Sequence, residues 1–290
     1  MCITYFESIG RIQINNQKIV EDHYTNGELL KSICAGIYQI GKLPGTVTME
    51  DLSAVDEFHI GGRKVTKAFL DPMNISVEDH VLDVGCGIGG SSRFAAKHYG
   101  CNVTGIDLTK EYVDTGNVLC SWLGSNKQVK LVQGDAVEIN APDATFDKAF
   151  MLHVGMNIAN KVALAQEIKR VLKPGGIFGI YDIMQTSSEP IVFPVPWAST
   201  VEASILASPD DYKNILAAVG FELTSERNQR KFALQFFEHQ KAISALTKGS
   251  SPLGLHLLMG ETASTKVKNM VENIAMDRVA PIEMFFRKTY

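Results

Sequence analysis

Between residues 79 and 183 short apolar runs alternate with segments whose apolar residues recur every three or four positions. The runs are "HVLDV" (80–84), "CNVTGID" (101–107), "QVKLVQGD" (128–135), "FDKAFMLH" (146–153) and "IFGIYDI" (177–183). Each is short enough for a buried strand and reads as one. Between them, "GGSSRFAAKHYG" (89–100), "EYVDTGNVLCSWLG" (111–124) and "KVALAQEIKRVL" (161–172) carry the helical period, and "KPGG" (173–176) reads as a turn. Strands alternating with helices at this spacing predict an α/β fold: a doubly wound, Rossmann-like parallel sheet with helices on both faces. Ligands of such sheets bind at the carboxyl ends of the strands, where the strand order switches.

The pattern differs on either side. Upstream, Thr25 and Glu28 read as a T-x-x-E capping box. A helical stripe follows at Leu29, Leu30, Ile33, Cys34, Ile37 and Ile40, stopped by "GKLPG" (41–45). A polar connector leads to "DEFHIGGR" (56–63), then a second helical stretch to Asp71-Pro72. Downstream, "MQTSSEPIVFPVPW" (184–197) contains three prolines and reads as a loop or cover. "SPDDYKNILAAVGFELTSE" (208–226) reads as a helix then a strand, helical patterns occupy roughly 230–248 and 262–278, and "PIEMFFRKT" (281–289) reads as a final strand. The expected organisation is an N-terminal helical cap or lid over 1–75. One domain follows over 76–290, with cover insertions at about 184–207 and 228–280.

Composition narrows the function classes. The 290 residues are 45% hydrophobic and 21% charged, enough for a full core. A net charge of −4 leaves no dominant basic surface, so no nucleic-acid partner is expected. The five cysteines form no C-x-x-C and read as free thiols of a reducing compartment. No basic-then-apolar leader opens the chain and no apolar run reaches the length of a membrane span. A cytoplasmic protein without stable membrane insertion is expected. No H-E-x-x-H or tight acidic cluster suggests a metal.

The candidate chemistry centres on "DVGCGIGG" (83–90). Gly85, Gly87 and Gly90 satisfy G-x-G-x-x-G, the dinucleotide fingerprint. Asp83, however, stands where a pyrophosphate would be repelled, and suits a ligand with a positive group. Asp107 ends the second strand, where a carboxylate can accept both hydroxyls of a ribose; that feature also fits NAD. Asp135 ends the third, where it could accept from an adenine amino group. Each acid alone could be a helix N-cap. All three around one glycine turn favour S-adenosylmethionine, whose amino end and sulfonium are positive.

"VLDVGCGIGG", the acid of "GIDL", "GDA" and "LKPGG" together resemble the class I S-adenosylmethionine-dependent methyltransferases over roughly residues 79–183. "DEFHIGG" and "MFFRKT" extend the resemblance to the small-molecule branch with sarcosine/dimethylglycine, phosphoethanolamine and tocopherol methyltransferases. The resemblance implies a seven-stranded sheet with the last strand antiparallel. It implies a cofactor site of Asp83, Gly85, Gly87, Asp107, Leu108, Asp135 and Ala136, with His59 of "HIGG" on the methionine carboxylate. It implies His153 as the first candidate for the general base and Tyr24, a lid residue over the cofactor, as the second catalytic candidate. The residues leave other roles open. His153 could merely shape the pocket, Tyr24 could staple against Leu29, and His59 could be a loop histidine. Six aromatics of the late cover, Phe193, Trp197, Tyr212, Phe232, Phe236 and Phe237, could cage an amine or pack a core. Arg227, Arg230 and Arg278 are available for an acceptor carboxylate but sit in no matching motif. The expected activity is metal-independent methyl transfer to the N or O atom of a small-molecule acceptor, with a homodimer possible. The alternatives are a cofactor-binding partner protein without turnover and an NAD-dependent oxidoreductase.

Overall fold

The computed structural model describes residues 17–25, 27–246 and 251–289. Its centre is a seven-stranded sheet of β1 (His80–Val84), β2 (Asn102–Asp107), β3 (Val129–Gln133), β4 (Phe146–Leu152), β5 (Leu172–Gln185), β6 (Phe221–Asn228) and β7 (Val279–Lys288). The order is β3-β2-β1-β4-β5-β7-β6. Strands β1 to β5 pair in parallel, and β7 runs antiparallel between β5 and β6. The expected fold, antiparallel last strand included, is the one observed.

Strand periodicity explains why β1 reads as a near-continuous apolar run. Leu82 and Val84 face one hydrophobic cluster, Val81 the other, and all three are fully buried. On the first face the cluster includes Leu164, Ile168 and Val171 of α7 (Lys161–Val171) and Tyr212 and Leu216 of α8 (Pro209–Ala218). On the second it takes Phe94 to Ala96 of α5 (Gly90–Tyr99) and Val113 and Cys120 of α6 (Lys110–Trp122). The chain leaves β1 for β2 on one side and meets β4 on the other, so the strand order reverses beside β1. A crevice opens there at the strand ends.

Several local expectations are corrected. Thr25 caps nothing: residues 17–24 form a helix, α1, and the Thr25 N–H bonds back to the Glu21 carbonyl at 2.9 Å. The next helix, α2 (Leu29–Gln39), begins four residues later without a side-chain cap of its own. Glu111 of α6 serves instead, accepting the Gly27 and Leu29 N–H groups at 2.9 Å each. A tertiary carboxylate thus replaces the local box, and Leu29 becomes the first helical residue rather than the staple partner of Tyr24. The polar connector contains a helix, α3 (Met49–Asp56), with a capping box between Thr48 and Asp51. Its eight residues are too few and too weakly amphipathic to register as periodicity. The "KPGG" segment is a bulge in β5: Leu172 pairs with Phe146, and pairing with β4 resumes five residues further on, at Ile177 with Lys148.

The remaining helices are α4 (Gly62–Leu70), α9 (Arg230–Leu246), α10 (His256–Met259) and α11 (Ala263–Ala275). α9 to α11 lie between β6 and β7 in the chain. Among the described residues no helix is long and apolar enough to cross a membrane.

Candidate active site

One cavity of about 1200 Å³, mouth included, occupies the crevice at the strand ends. Its lining includes all ten residues singled out in the sequence: Tyr24, His59, Asp83, Gly85, Gly87, Asp107, Leu108, Asp135, Ala136 and His153. Backbone topology divides it. The ends of β1, β2 and β3 bring the carboxylates; the end of β4 brings His153, and the turn after it Asn157.

Asp83, on β1, is 2% exposed and accepts the Ser92 hydroxyl at 2.6 Å. Burial pushes its carboxyl up to about 7, against the Ser92 bond, and the nearby Asp107 and Glu57 add to the rise. A cation bound beside it would relieve both costs. Asp107 accepts the Gly87 N–H on Oδ2 at 2.8 Å and the Thr109 N–H on Oδ1 at 2.9 Å. Each carboxylate oxygen has a second lone pair, so both keep capacity for a hydroxyl donor. Burial raises this carboxyl too, although those backbone bonds oppose it. β3 ends two residues before Asp135, and Gly134 is bonded back to the Asp107 carbonyl at 2.9 Å. Asp135 accepts the Val137 N–H at 3.0 Å and the side-chain amide of Gln17 on α1. An –NH2 donor from elsewhere in the chain thus already sits on the carboxylate that the sequence matched to an adenine amino group.

The glycines of the turn have different reasons. Gly87 has φ of +54°, and a Cβ there would meet only Tyr112, at 3.9 Å, so the backbone itself faces the cavity. Gly90 is required by packing: a Cβ would stand 2.3 Å from the Asp56 carbonyl oxygen at the end of α3. The buried Arg93 guanidinium locks that contact, donating to Asp56 Oδ1 at 2.5 Å and to the Ile88 carbonyl at 2.7 Å.

His59 is 8% exposed. Its Nε2 lies 3.0 Å from Glu57 Oε2 and 2.9 Å from the Thr66 hydroxyl. Glu57 is held at about 2, since bonds from His59, Thr66 and Arg63 together outweigh a large burial cost. The His59 ring lies edge-on to His153, with centroids 6.1 Å apart. His153 follows β4 with φ of +56°, its N–H bonded to the Tyr181 carbonyl at 2.7 Å and its ring 5.0 Å from the Tyr181 ring. Its Nε2 is buried without a partner. Burial, then the neighbouring His59, depresses its pKa well below the usual imidazole value, so the ring is neutral at pH 7.

Sequence reading missed two groups. Asn157 accepts the Tyr24 hydroxyl at 3.0 Å and donates to the Trp197 and Ala203 carbonyls at 2.8 and 3.0 Å. It ties α1 to the β4 turn and to the segment after β5. Only its place in "HVGMN", beside His153, could have flagged it. Tyr112, in the first turn of α6, places a buried, unpartnered hydroxyl beside the glycine turn. The six cover aromatics do not line the cavity. Trp197 is buried in a cluster joined by Phe193, Phe236 and Phe237, so the packing reading holds for these. The three arginines are engaged elsewhere: Arg227 with Glu283, Arg230 with the Ile274 and Ala275 carbonyls, and Arg278 with Asn273.

Comparison with known proteins places this architecture. Residues 81–176 match the family model of a methyltransferase domain. The sterol 24-C-methyltransferase of Eremothecium gossypii is 39% identical over 114 residues, covering 39% of this chain and 31% of that protein. The 2-methyl-6-phytyl-1,4-hydroquinone methyltransferase of Synechocystis is 42% identical over 102 residues, covering 35% of this chain and 31% of that protein. The chain spans about a third of the length of these curated relatives. Among solved structures, Haemonchus contortus phosphoethanolamine N-methyltransferase 2 superposes with a TM-score of 0.65 at 22% identity, over 83% of this chain and 57% of that one. The [4+2]-cyclase SpnF superposes with 0.61 at 21% identity, over 78% and 81%. These superpositions establish the fold, and the matched segment carries the resemblance read from the glycine turn and the strand-end acids.

Proposed function

We propose that the protein is an S-adenosylmethionine-dependent methyltransferase acting, without a metal, on the N or O atom of a small-molecule acceptor. One observation carries this: Asp83, Asp107 and Asp135 meet a glycine turn in a single cavity. The curated relatives named above, methyltransferases both, support methyl transfer, although the sterol enzyme is by name a C-methyltransferase and lends nothing to the choice of N or O. In it Asp107 accepts the ribose hydroxyls and Asp83 faces the cofactor's ammonium group. Asp135 accepts the adenine amino group in place of Gln17, with Leu108 and Ala136 alongside. Gly85 and Gly87 let the backbone approach, and His59 meets the methionine carboxylate. The cofactor supplies an activated methyl group. The chain has to position the acceptor, exclude water and hold one proton. His153 takes that proton, and Tyr24, held by Asn157, covers the cofactor. An NAD enzyme would have to place a pyrophosphate beside buried Asp83, so that alternative is set aside. Activity is expected to survive a strong chelator. Calorimetric titration tests the reading: S-adenosylhomocysteine is expected to bind and NAD to give no signal. Tighter binding of NAD would overturn it.

A further inference from the structure

The two halves of the cavity carry different chemistry, and the β4 half points to the acceptor. Past the end of β4 the wall includes Leu152, Val154, Ile158 and Ala159. Nearly every polar group set among them is already engaged. The Tyr24 hydroxyl and Asn157 satisfy each other, the Asn157 amide is spent on two carbonyls, and His59 Nε2 is held by Glu57 and Thr66. The nearest lysine after the turn, Lys161, is bound to the Ile158 and Ile205 carbonyls at 3.0 and 2.6 Å. Among the described residues no lysine or arginine lines the cavity. An anionic headgroup entering the cavity would share it with Asp83, Asp107 and Asp135 and would find, among the described residues, no lysine or arginine in the wall. Among the described residues, one fully buried side-chain polar atom of this half lacks a partner: His153 Nε2. A buried unpaired acceptor is costly until a ligand supplies its hydrogen bond.

We propose that the acceptor is an uncharged, largely apolar molecule of the phenol type, whose hydroxyl donates to His153 Nε2. The inference rests on the methyltransferase reading and narrows its acceptor. In the step it describes, the phenol O–H bond breaks and its proton passes to Nε2 as the oxygen attacks the methyl carbon. The O–CH3 bond forms, and the S–CH3 electron pair returns to sulfur, giving neutral S-adenosylhomocysteine. The histidinium then yields its proton to water. Loss of the sulfonium charge during transfer makes room for the charge on His153, so the cavity never holds both cations fully formed.

The test uses the full chain saturated with S-adenosylhomocysteine and 2-naphthol as a fluorescent neutral phenol. 2-Naphthol is expected to bind with an affinity that changes less than twofold between 50 and 500 mM salt, since no ion pair is involved. Naphthalene, lacking the hydroxyl, is expected to bind about fivefold less tightly, the size of one hydrogen bond. His153→Asn, which tolerates the left-handed backbone, should narrow that gap while cofactor affinity holds. Tighter binding of phosphoethanolamine or sarcosine than of 2-naphthol would overturn the inference, as would equal binding of naphthol and naphthalene. Either result with S-adenosylhomocysteine still bound leaves the methyltransferase reading intact; failure of S-adenosylhomocysteine to bind at the outset brings down both.

Discussion

The β1–β3 half of the crevice is built by short pieces of chain that carry their own instructions. Each carboxylate stands at or near a strand end and is oriented from the turns around it: Thr109, two residues on, and Gly87, in the turn after β1, both donate backbone N–H groups to Asp107. The β4 half is built from far apart in sequence. Tyr24, Asn157 and the carbonyls of Trp197 and Ala203 form one tether spanning contacts 133, 40 and 46 residues long. The first half is polar and fixed by local geometry. The second is apolar and exists only once the whole chain has folded. On the proposed function, the first half would hold the cofactor and the second would choose and activate the acceptor.

The separation can be broken most visibly at His153. His153→Ala should lower kcat by about 10²–10⁴-fold, the usual contribution of a positioned base. Affinity for S-adenosylhomocysteine should stay within about twofold, the mark of a group acting mainly in the transition state. Loss of cofactor affinity in a folded variant would show that the halves are not independent. On the other side, Asp107→Ala should weaken S-adenosylhomocysteine binding about ten- to a hundredfold, because two hydrogen bonds to a charged acceptor disappear. An unchanged dissociation constant would remove Asp107 from the cofactor site.

Acidity sharpens the contrast next. Asp83 stands at about 7 in the cofactor-free protein, raised by burial. A bound ammonium group favours the ionised form and lowers that value. Affinity should therefore be flat above pH 7 and fall by up to about tenfold per unit as pH drops below it. Calorimetry between pH 5.5 and 8.5 checks this, and Asp83→Asn should flatten the profile. The smallest effect belongs to the tether. Tyr24→Phe keeps the ring against Tyr112, 5.8 Å away, and removes only the bond to Asn157. About 1 kcal/mol of stability should be lost in thermal denaturation. A rate loss much larger than that would put the hydroxyl in the chemistry.

The same contrast explains what was legible in the sequence. The sheet and its strand ends followed from periodicity, and the three acids from their place after apolar runs, because those signals sit within ten residues of one another. The capping of α2 did not, because Glu111, more than eighty residues away, replaces the local Thr25 box. Asn157 carried no signal because its partners arrive from α1 and from the segment after β5. The packing role of Gly90 was hidden for a similar reason: the Asp56 carbonyl that excludes a Cβ comes from a helix in an apparently polar connector. Cover aromatics could be cage or core by spacing alone, and only burial separated the two.

The position of β7 has a consequence in time. It is the last strand of the chain, yet it lies inside the sheet, and β6 joins the sheet only through it. During synthesis residues 279–288 leave the ribosome after everything they must bridge. Until then the nascent chain carries β5 with an open edge, and β6 with no strand beside it. Open edges are templates for wrong pairing between molecules. A chain truncated before residue 279 is therefore expected to leave the β5 edge open and β6 unpaired, and to aggregate more readily than the chain that carries β7.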